Sequence, residues 1–536
     1  MLQSRISQVV IALLLGALMP LSFAPFSFTL IAPIALGVLL LLIQQKSPKR
    51  SFLLGLSFGF GMFAWGIWWV RISLLEFGGA PLPFGILLTL LLALYLALYY
   101  GVLAYLMAKI KGCLYIRIGL IFPVLGVVLE LIRSELLTGF PWLALGYSLT
   151  ELKLASLIFP EMGALMASFW IYWFAGIIAI VLMFLGKKIQ KRRSAQAQTE
   201  VGKASFKQFL LELAPSLIAF VVMFGVMLGT MTFVKDDVVK AGDPLKVALL
   251  QGNIAQELKF SETQYFDILA TYMALTEEVA DESDLIIWPE TAIPSLYELE
   301  LNLGNHIRTL SQNEETTIMT GIFSGNGSTV RNSVVTFSDS VRARDQRYDK
   351  VHLVPFGEFI PFRSILNLFS GLIAIPYSDL TPGAEAQSPF VISSKKGKDQ
   401  RQDFRASAFI CYEAVFGDEL RYQGRESQFL VNVSNDAWFG DSIGPWQHFQ
   451  ISRARAIELQ REVVRSTNNG ITALISQNGQ VVESLPQFEK GALVVDVTPY
   501  DGATTYAKLG DLFWLGVSLV LLLIGVALNF WQGRRY

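Results

Sequence analysis

Ala406-Ser407-Ala408-Phe409-Ile410-Cys411-Tyr412-Glu413 begins as a short apolar run and ends on a thiol, a phenol and a carboxylate in consecutive positions. An apolar run of this length, bounded by polar residues, predicts a buried strand. A strand that carries a cysteine at its end fixes a nucleophile on a rigid element. Outward from this stretch, the region from about 235 to 508 alternates short apolar runs with helical spacing. Strands are expected at 245–250, 285–288, 317–322, 332–337 and 429–433. Tyr265, Ile268, Leu269, Tyr272, Leu275 and Val279 recur at helical spacing within 261–282, and a second helix is expected over 447–464. Runs at 471–476 and 480–484 flank Asn478-Gly479, a strong hairpin signal. The alternation predicts a layered α/β sandwich.

The rest of the chain is oily. Hydrophobic residues make up 53% of the 536 residues and charged residues 16%, well below the usual quarter for soluble proteins. Apolar segments lie near 6–23, 26–44, 52–70, 83–108, 116–133, 160–186, 208–231 and 511–531. Runs of about 20 apolar residues cross a bilayer, and the Gly and Pro within them are tolerated there. We therefore expect about eight transmembrane helices: seven spans in 1–234, the α/β domain in 235–508, and a last span with its tail in 509–536. The start resembles a secretory signal, but Pro25 directly after Ser22-Phe23-Ala24 favours a retained helix. Residues 187–207 form a basic polar linker.

Lys and Arg give the expected orientation. Arg5, Lys46, Lys49, Arg50, Lys109, Lys111, Arg117, seven residues between Lys187 and Lys207, Arg534 and Arg535 fall in alternate loops. The intervening short loops hold only Arg71, Arg133 and Lys153. The basic set marks the cytoplasm, so both termini are expected inside and 235–508 outside it. On that topology the two cysteines, Cys113 and Cys411, are free thiols on opposite sides of the membrane. The net charge of -1 and the lack of a basic stripe point away from nucleic acid. The three histidines have no metal-ligand spacing. No GxxxxGK[ST] or GxGxxG loop occurs, so ATP and dinucleotides are not expected. No cofactor is called for.

Two charged residues join Cys411 as candidates. Glu290 follows a buried run in Trp288-Pro289-Glu290-Thr291-Ala292-Ile293-Pro294, where two prolines stiffen the turn. A carboxylate positioned there can accept a thiol proton. Lys350 enters the apolar, proline-bounded segment Val351-His352-Leu353-Val354-Pro355-Phe356-Gly357-Glu358. A buried cation stabilises the oxyanion of a tetrahedral intermediate, and Glu358 could orient or balance it. His352 offers a rival Cys–His pairing. Residues 364–377 form an unusually oily loop close after Lys350. They are either a buried core helix or a lid that covers an acyl chain.

Glu290, Lys350 and Cys411, in that order, resemble the Glu-Lys-Cys triad of the nitrilase superfamily. The wider motifs are Gln251-Gly252-Asn253-Ile254, Trp288-Pro289-Glu290-Thr291-Ala292, His352 to Glu358, Cys411-Tyr412-Glu413, Ser434-Asn435-Asp436-Ala437-Trp438-Phe439-Gly440 and Arg465-Ser466-Thr467-Asn468-Asn469-Gly470. With the membrane spans, they resemble the apolipoprotein N-acyltransferases of the bacterial inner membrane. The resemblance covers the whole chain. It implies an αββα nitrilase-like domain on a bundle of eight membrane helices. It also implies acyl transfer from a phospholipid to the α-amine of a diacylglyceryl-cysteine on an apolipoprotein. Glu290 would be the proton acceptor, Lys350 the oxyanion stabiliser and Cys411 the nucleophile, with Glu358, Tyr412 and Glu413 in support. Phe260, where the family usually carries Trp, is an expected substrate contact, with Trp438, Leu368 and Leu372. A membrane-tethered amidase using water, or an inactive scaffold, are the rival readings. The three usable triad positions disfavour the scaffold.

Overall fold

The computed structural model describes residues 4–193, 201–326, 329–338, 346–359, 379–395 and 402–533. Two compact units emerge. One comprises Met1–Trp68, Ile86–Lys235 and Leu509–Tyr536, and the other Trp69–Gly85 with Asp236–Lys508.

The first unit is helical. Six helical stretches among the described residues are long and apolar enough to cross a membrane: Arg5–Ser22, Leu82–Lys109, Leu114–Thr138, Ala155–Ile189, Phe206–Phe233 and Thr505–Trp531. Pro48–Gly66 with Val70–Phe77 makes a seventh if that bent pair is one span. The segment expected over 26–44 forms a helix only at Ile31–Ile43. Its 13 residues reach about 20 Å, short of a hydrocarbon core of about 30 Å. Helix Arg5–Leu18 packs closely on Pro48–Gly66 because Gly16 and Gly61 leave room: a Cβ on either would strike the other helix's backbone. Glu130 lies buried inside the unit and accepts from Ser168 Oγ at 2.6 Å, Tyr172 OH at 3.0 Å and the Leu145 N–H at 3.2 Å. Arg133, expected in a short loop, is instead buried and donates to the Phe140 and Trp142 carbonyls at 2.6 and 2.7 Å. These bonds satisfy charges that would otherwise be expensive in an apolar bundle.

The second unit holds two mixed sheets. In hydrogen-bonded order the first runs Gly491–Val497, Leu245–Gln251, Leu285–Ile287, Thr317–Asn326, Thr329–Phe337 and Arg347–Asp349, with Ile293–Leu296 also paired to Thr317–Asn326. The second runs Val481–Ser484, Ala473–Ile475, Val463–Thr467, Phe429–Ser434, Asp403–Ile410 and Phe390–Ser393. Strand alternation assigns the faces. Val247, Leu249, Leu285 and Ile287 meet Ala406, Ala408, Ile410, Val431 and Val433 between the sheets. Ala248, Leu250, Ile286 and Trp288 point the other way, onto helix Tyr265–Val279. Helices Gly417–Glu426 and Gly444–Leu459 pack on the second sheet. The expected αββα layering is the result.

The helix expected over 447–464 ends at Leu459, where Gln460 turns left-handed, and Val463–Thr467 is a buried strand. The β-branched Val463-Val464 pair suits that strand. Cys113 and Cys411 are free thiols. Trp69–Gly85, expected to be only a loop between spans, packs on the α/β unit. Trp69 Nε1 donates to Gln447 Oε1 at 3.2 Å, and Ser73 Oγ donates to the Trp438 carbonyl at 2.7 Å.

Gly321, in strand Thr317–Asn326, passes directly under the Glu290 turn. A Cβ there would land on the Thr291 nitrogen and the Pro289 carbonyl. Gly321→Ala is therefore expected to destabilise the unit by about 1–3 kcal/mol through overpacking, read as a lowered thermal midpoint. An unchanged midpoint would show that the turn is loosely held.

Candidate active site

Strand ends bring the candidates together. Leu285–Ile287 delivers Glu290 through the rigid Pro289 turn, and its carboxylate is almost fully buried. Asn332 Nδ2 donates to Glu290 Oε1 at 2.7 Å, and the Asn435 backbone N–H donates to Oε2 at 2.9 Å. Lys350 follows strand Arg347–Asp349 and is 1% exposed. Its Nζ donates to Glu358 Oε1 at 2.9 Å and lies 3.5 Å from Glu290 Oε1. Asn332 Nδ2 also donates to Glu358 Oε1, at 3.0 Å. One ammonium and one amide therefore bridge two carboxylates. Burial works against the Lys350 charge, but Glu358 and Glu290 outweigh it and hold its pKa above the ordinary lysine range.

Cys411 ends strand Asp403–Ile410 and starts a 3-10 turn with φ of 51°. A non-glycine residue in that left-handed region costs on the order of 1–3 kcal/mol, so its surroundings must hold it. Glu413 is one such hold. Its Oε2 accepts the Ile410 N–H at 2.6 Å. Its Oε1 accepts the Tyr348 OH at 2.9 Å and the Val351 N–H at 2.7 Å. The cysteine's turn and the lysine's segment are thus tied through one carboxylate, which burial pushes up to about 7. Burial, with Glu290 nearby, pushes the Cys411 thiol up, while Lys350 pulls it down. A thiol held in this direction keeps its proton more firmly than a free one, so a neighbouring proton acceptor would favour its attack.

The remaining candidates divide. Tyr412 is buried against Phe416, with ring centroids 5.3 Å apart. His352 stacks on Phe416 and meets Glu419 at 2.9 Å through Nδ1. Trp438 packs edge-on against Phe77 with centroids 5.2 Å apart. Phe260 joins a small cluster with Phe323, Leu353 and Leu380. Leu368 and Leu372, with the whole 364–377 run, lie outside the described residues.

Sequence reasoning missed Asn332 and the backbone of Asn435 as hydrogen-bond donors to Glu290. It also missed Lys259. The signal for Asn332 was a polar residue at the start of the strand run that ends at Phe337. Lys259 had no signal beyond standing next to Phe260. Its Nζ is buried and donates to the Glu290 carbonyl at 2.8 Å. Burial lowers its pKa to about 8, against the pull of Glu290 and Cys411. Below pH 8 Lys259 is a cation that favours the Cys411 thiolate; above pH 8 it loses that charge. Lys259→Met is expected to slow iodoacetamide alkylation of Cys411 about tenfold at pH 7, and the deficit should close as pH rises past 8. A deficit constant across pH would mean that Lys259 acts only through packing.

Comparison with known proteins places the chain in a family. The apolipoprotein N-acyltransferase N-terminal domain matches residues 15–177, and the carbon-nitrogen hydrolase domain matches 246–506. An apolipoprotein N-acyltransferase of Shewanella oneidensis is 36% identical over 540 residues, covering 98% of this chain and 96% of that protein. Those of Methylococcus capsulatus and Vibrio cholerae are 35% and 34% identical, covering 96% and 100% of this chain and 95% and 99% of theirs. A solved amidase of the nitrilase superfamily, from Nesterenkonia AN1, aligns with 52% of this chain and 95% of its own, at 17% identity and a TM-score of 0.35. Two domain matches in succession and relatives aligned along nearly the whole length lead to one conclusion: this multi-pass membrane chain belongs to the apolipoprotein N-acyltransferase family.

Proposed function

We propose that the chain transfers a fatty acyl group from a phospholipid to the α-amine of an apolipoprotein's N-terminal diacylglyceryl-cysteine, by way of a thioester on Cys411. The observation that carries this reading is the buried cluster of Glu290, Lys350, Glu358 and Asn332 in the same unit as a buried thiol on a strained turn. Family membership supplies the class of reaction, and the oily helical unit suits a lipid donor.

The steps follow from the groups. Glu290 takes the thiol proton as sulfur attacks the ester carbonyl carbon. The carbonyl π electrons move onto oxygen, and the Lys350 ammonium stabilises that oxyanion in a site poor in water. The carbon–oxygen bond to the glycerol then breaks. Glu290 returns its proton to the departing oxygen, lysophospholipid leaves, and the acyl group remains as a thioester. The lipoprotein amine attacks next and gives its proton to Glu290. The carbon–sulfur bond breaks, the thiolate is reprotonated, and a stable amide forms. Glu358 keeps Lys350 charged and aimed throughout, and Tyr412 and Glu413 support the nucleophile's turn.

Cys411→Ser, Glu290→Gln and Lys350→Ala should each lower acyl transfer by about three orders of magnitude or more. The readout is mass spectrometry of a diacylated lipopeptide incubated with phospholipid and the full-length protein. Lys350→Ala should also lower the thermal midpoint, since it leaves two buried carboxylates without their cation. Free fatty acid without an N-acylated product would favour the hydrolase reading instead.

The orientation belongs to the same proposal. The Lys and Arg bias assigns residues 235–508 to the extracytoplasmic side of the bacterial inner membrane and both termini to the cytoplasm, a topology that counts the short helix Ile31–Ile43 and the bent pair Pro48–Gly66 with Val70–Phe77 as one crossing each. The boundaries are 1–234 for the membrane region, 235–508 for the catalytic domain and 509–536 for the last span and tail. A reporter active only outside the cytoplasm should work when fused after Lys240 and be silent after Ala195. The opposite pattern would invert the topology.

A further inference from the structure

His448 carries no metal-like spacing and did not enter the sequence reading as a site residue. In the structure it is fully buried on helix Gly444–Leu459. Its Nε2 lies 3.0 Å from the backbone carbonyl oxygen of Cys411. A carbonyl only accepts, so a ring proton sits on Nε2 and the bond runs from histidine to the nucleophile's own peptide. The other ring nitrogen, Nδ1, is 3.0 Å from Asp436 Oδ1 and 3.1 Å from Arg465 Nη2.

Behind the ring stands a chain of buried polar bonds. Arg465 Nη2 donates to Asp436 Oδ2 at 2.7 Å, and Ser434 Oγ donates to Asp436 Oδ1 at 2.8 Å. Arg465 Nη1 donates to Ser452 Oγ at 3.1 Å and also to Asn432 Oδ1. Burial works against the Asp436 carboxylate, but Arg465 and His448 hold its pKa well below the usual range. Four elements contribute: strand Val463–Thr467, strand Phe429–Ser434, the turn after it, and helix Gly444–Leu459. All converge through His448 on one atom, the Cys411 carbonyl oxygen.

That atom is where control of the nucleophile is needed. Cys411 has a left-handed backbone. Glu413 grips the chain on its N-terminal side through the Ile410 N–H. The His448 bond grips it on the C-terminal side. A trans peptide is planar, so fixing the carbonyl also fixes the direction of the Tyr412 N–H and limits rotation about the Cys411 backbone. The direction of the Cys411 Cα–Cβ bond, which carries the sulfur, follows.

We propose that His448 is a positioning residue for the Cys411 nucleophile, acting through its Nε2–H bond to the Cys411 carbonyl and oriented by Asp436 and Arg465. It is neither the base nor a metal ligand. The inference deepens the proposed function and rests on Cys411 being the nucleophile.

Two amide substitutions separate this role from general packing. The nitrogen of Gln reaches as far from Cα as imidazole Nε2, whereas that of Asn reaches only as far as Nδ1. His448→Gln should keep kcat within about tenfold of the parent. His448→Asn should lower kcat by about a hundredfold or more, with the KM for phospholipid within about threefold. Equal activity of the two folded variants, or a loss confined to KM, would overturn the proposal. A measurement on the unsubstituted protein covers the case in which either variant misfolds. The full-length chain with 15N-labelled histidine has three ring systems, which His306→Asn and His352→Asn assign by elimination. The His448 signals should report a proton on Nε2 and should shift when iodoacetamide alkylates Cys411. A proton on Nδ1 alone, or signals indifferent to alkylation, would refute it. Parent-level transfer by Cys411→Ser would instead remove the nucleophile reading, while the tautomer result would stand on its own.

Discussion

A lysine ammonium buried between two carboxylates is the interaction on which the α/β unit's site depends. Alone, the Lys350 charge would lose its proton in so apolar a place. Alone, Glu290 and Glu358 would repel each other across a shared donor. Together, with Asn332 bonded to both, they form one satisfied network at the ends of neighbouring strands. The sheet order explains how it assembles. Thr329–Phe337 carries Asn332 and pairs with Arg347–Asp349, which leads directly into Lys350. The second sheet supplies the thiol at the end of Asp403–Ile410 and, one strand over, the Asn435 N–H that fixes Glu290. A half-satisfied buried network is costly, so each member constrains the others.

Polar residues within or beside apolar strands are the informative signal in the sequence, and that signal marks reactive groups better than it marks their partners. Glu290, Lys350 and Cys411 stood out because each interrupts or terminates an apolar run with a reactive group. Asn332 and Arg465 interrupt runs in the same way, yet a lone amide or guanidinium does not announce its partner. Period-two alternation made the strands legible, since Val247 and Leu249 face one core while Ala248 and Leu250 face the other. It could not say where helix 447–464 stops, because helix ends depend on tertiary context at Gln460. Nothing local revealed that Glu413 bonds Val351 and Tyr348 across some sixty residues. His448 was invisible for the same reason: its partner is a backbone carbonyl.

Length and hydropathy made the membrane helices legible, and the breaks were less so. Eight apolar segments are expected; among the described residues six helical stretches are long enough to span, a seventh is a bent pair, and Ile31–Ile43 is short. The break at Trp69 was hard to anticipate because the residues after it are apolar in either role. Trp69, Ser73 and Phe77 pack against Gln447, Trp438 and Phe439. Glu130 and Arg133 were legible as charges within an apolar segment, but not as a clamp on the turn through Phe140, Trp142 and Leu145.

The central claim is a thioester on Cys411, and a single mass measurement addresses it directly. Full-length protein incubated with a phospholipid of one defined acyl chain, and no acceptor, should gain the mass of one acyl group. Peptide mapping should find that group on Cys411, and hydroxylamine should remove it. An unmodified mass in protein that still transfers acyl groups to a lipopeptide, or an adduct that survives hydroxylamine, would contradict the covalent mechanism.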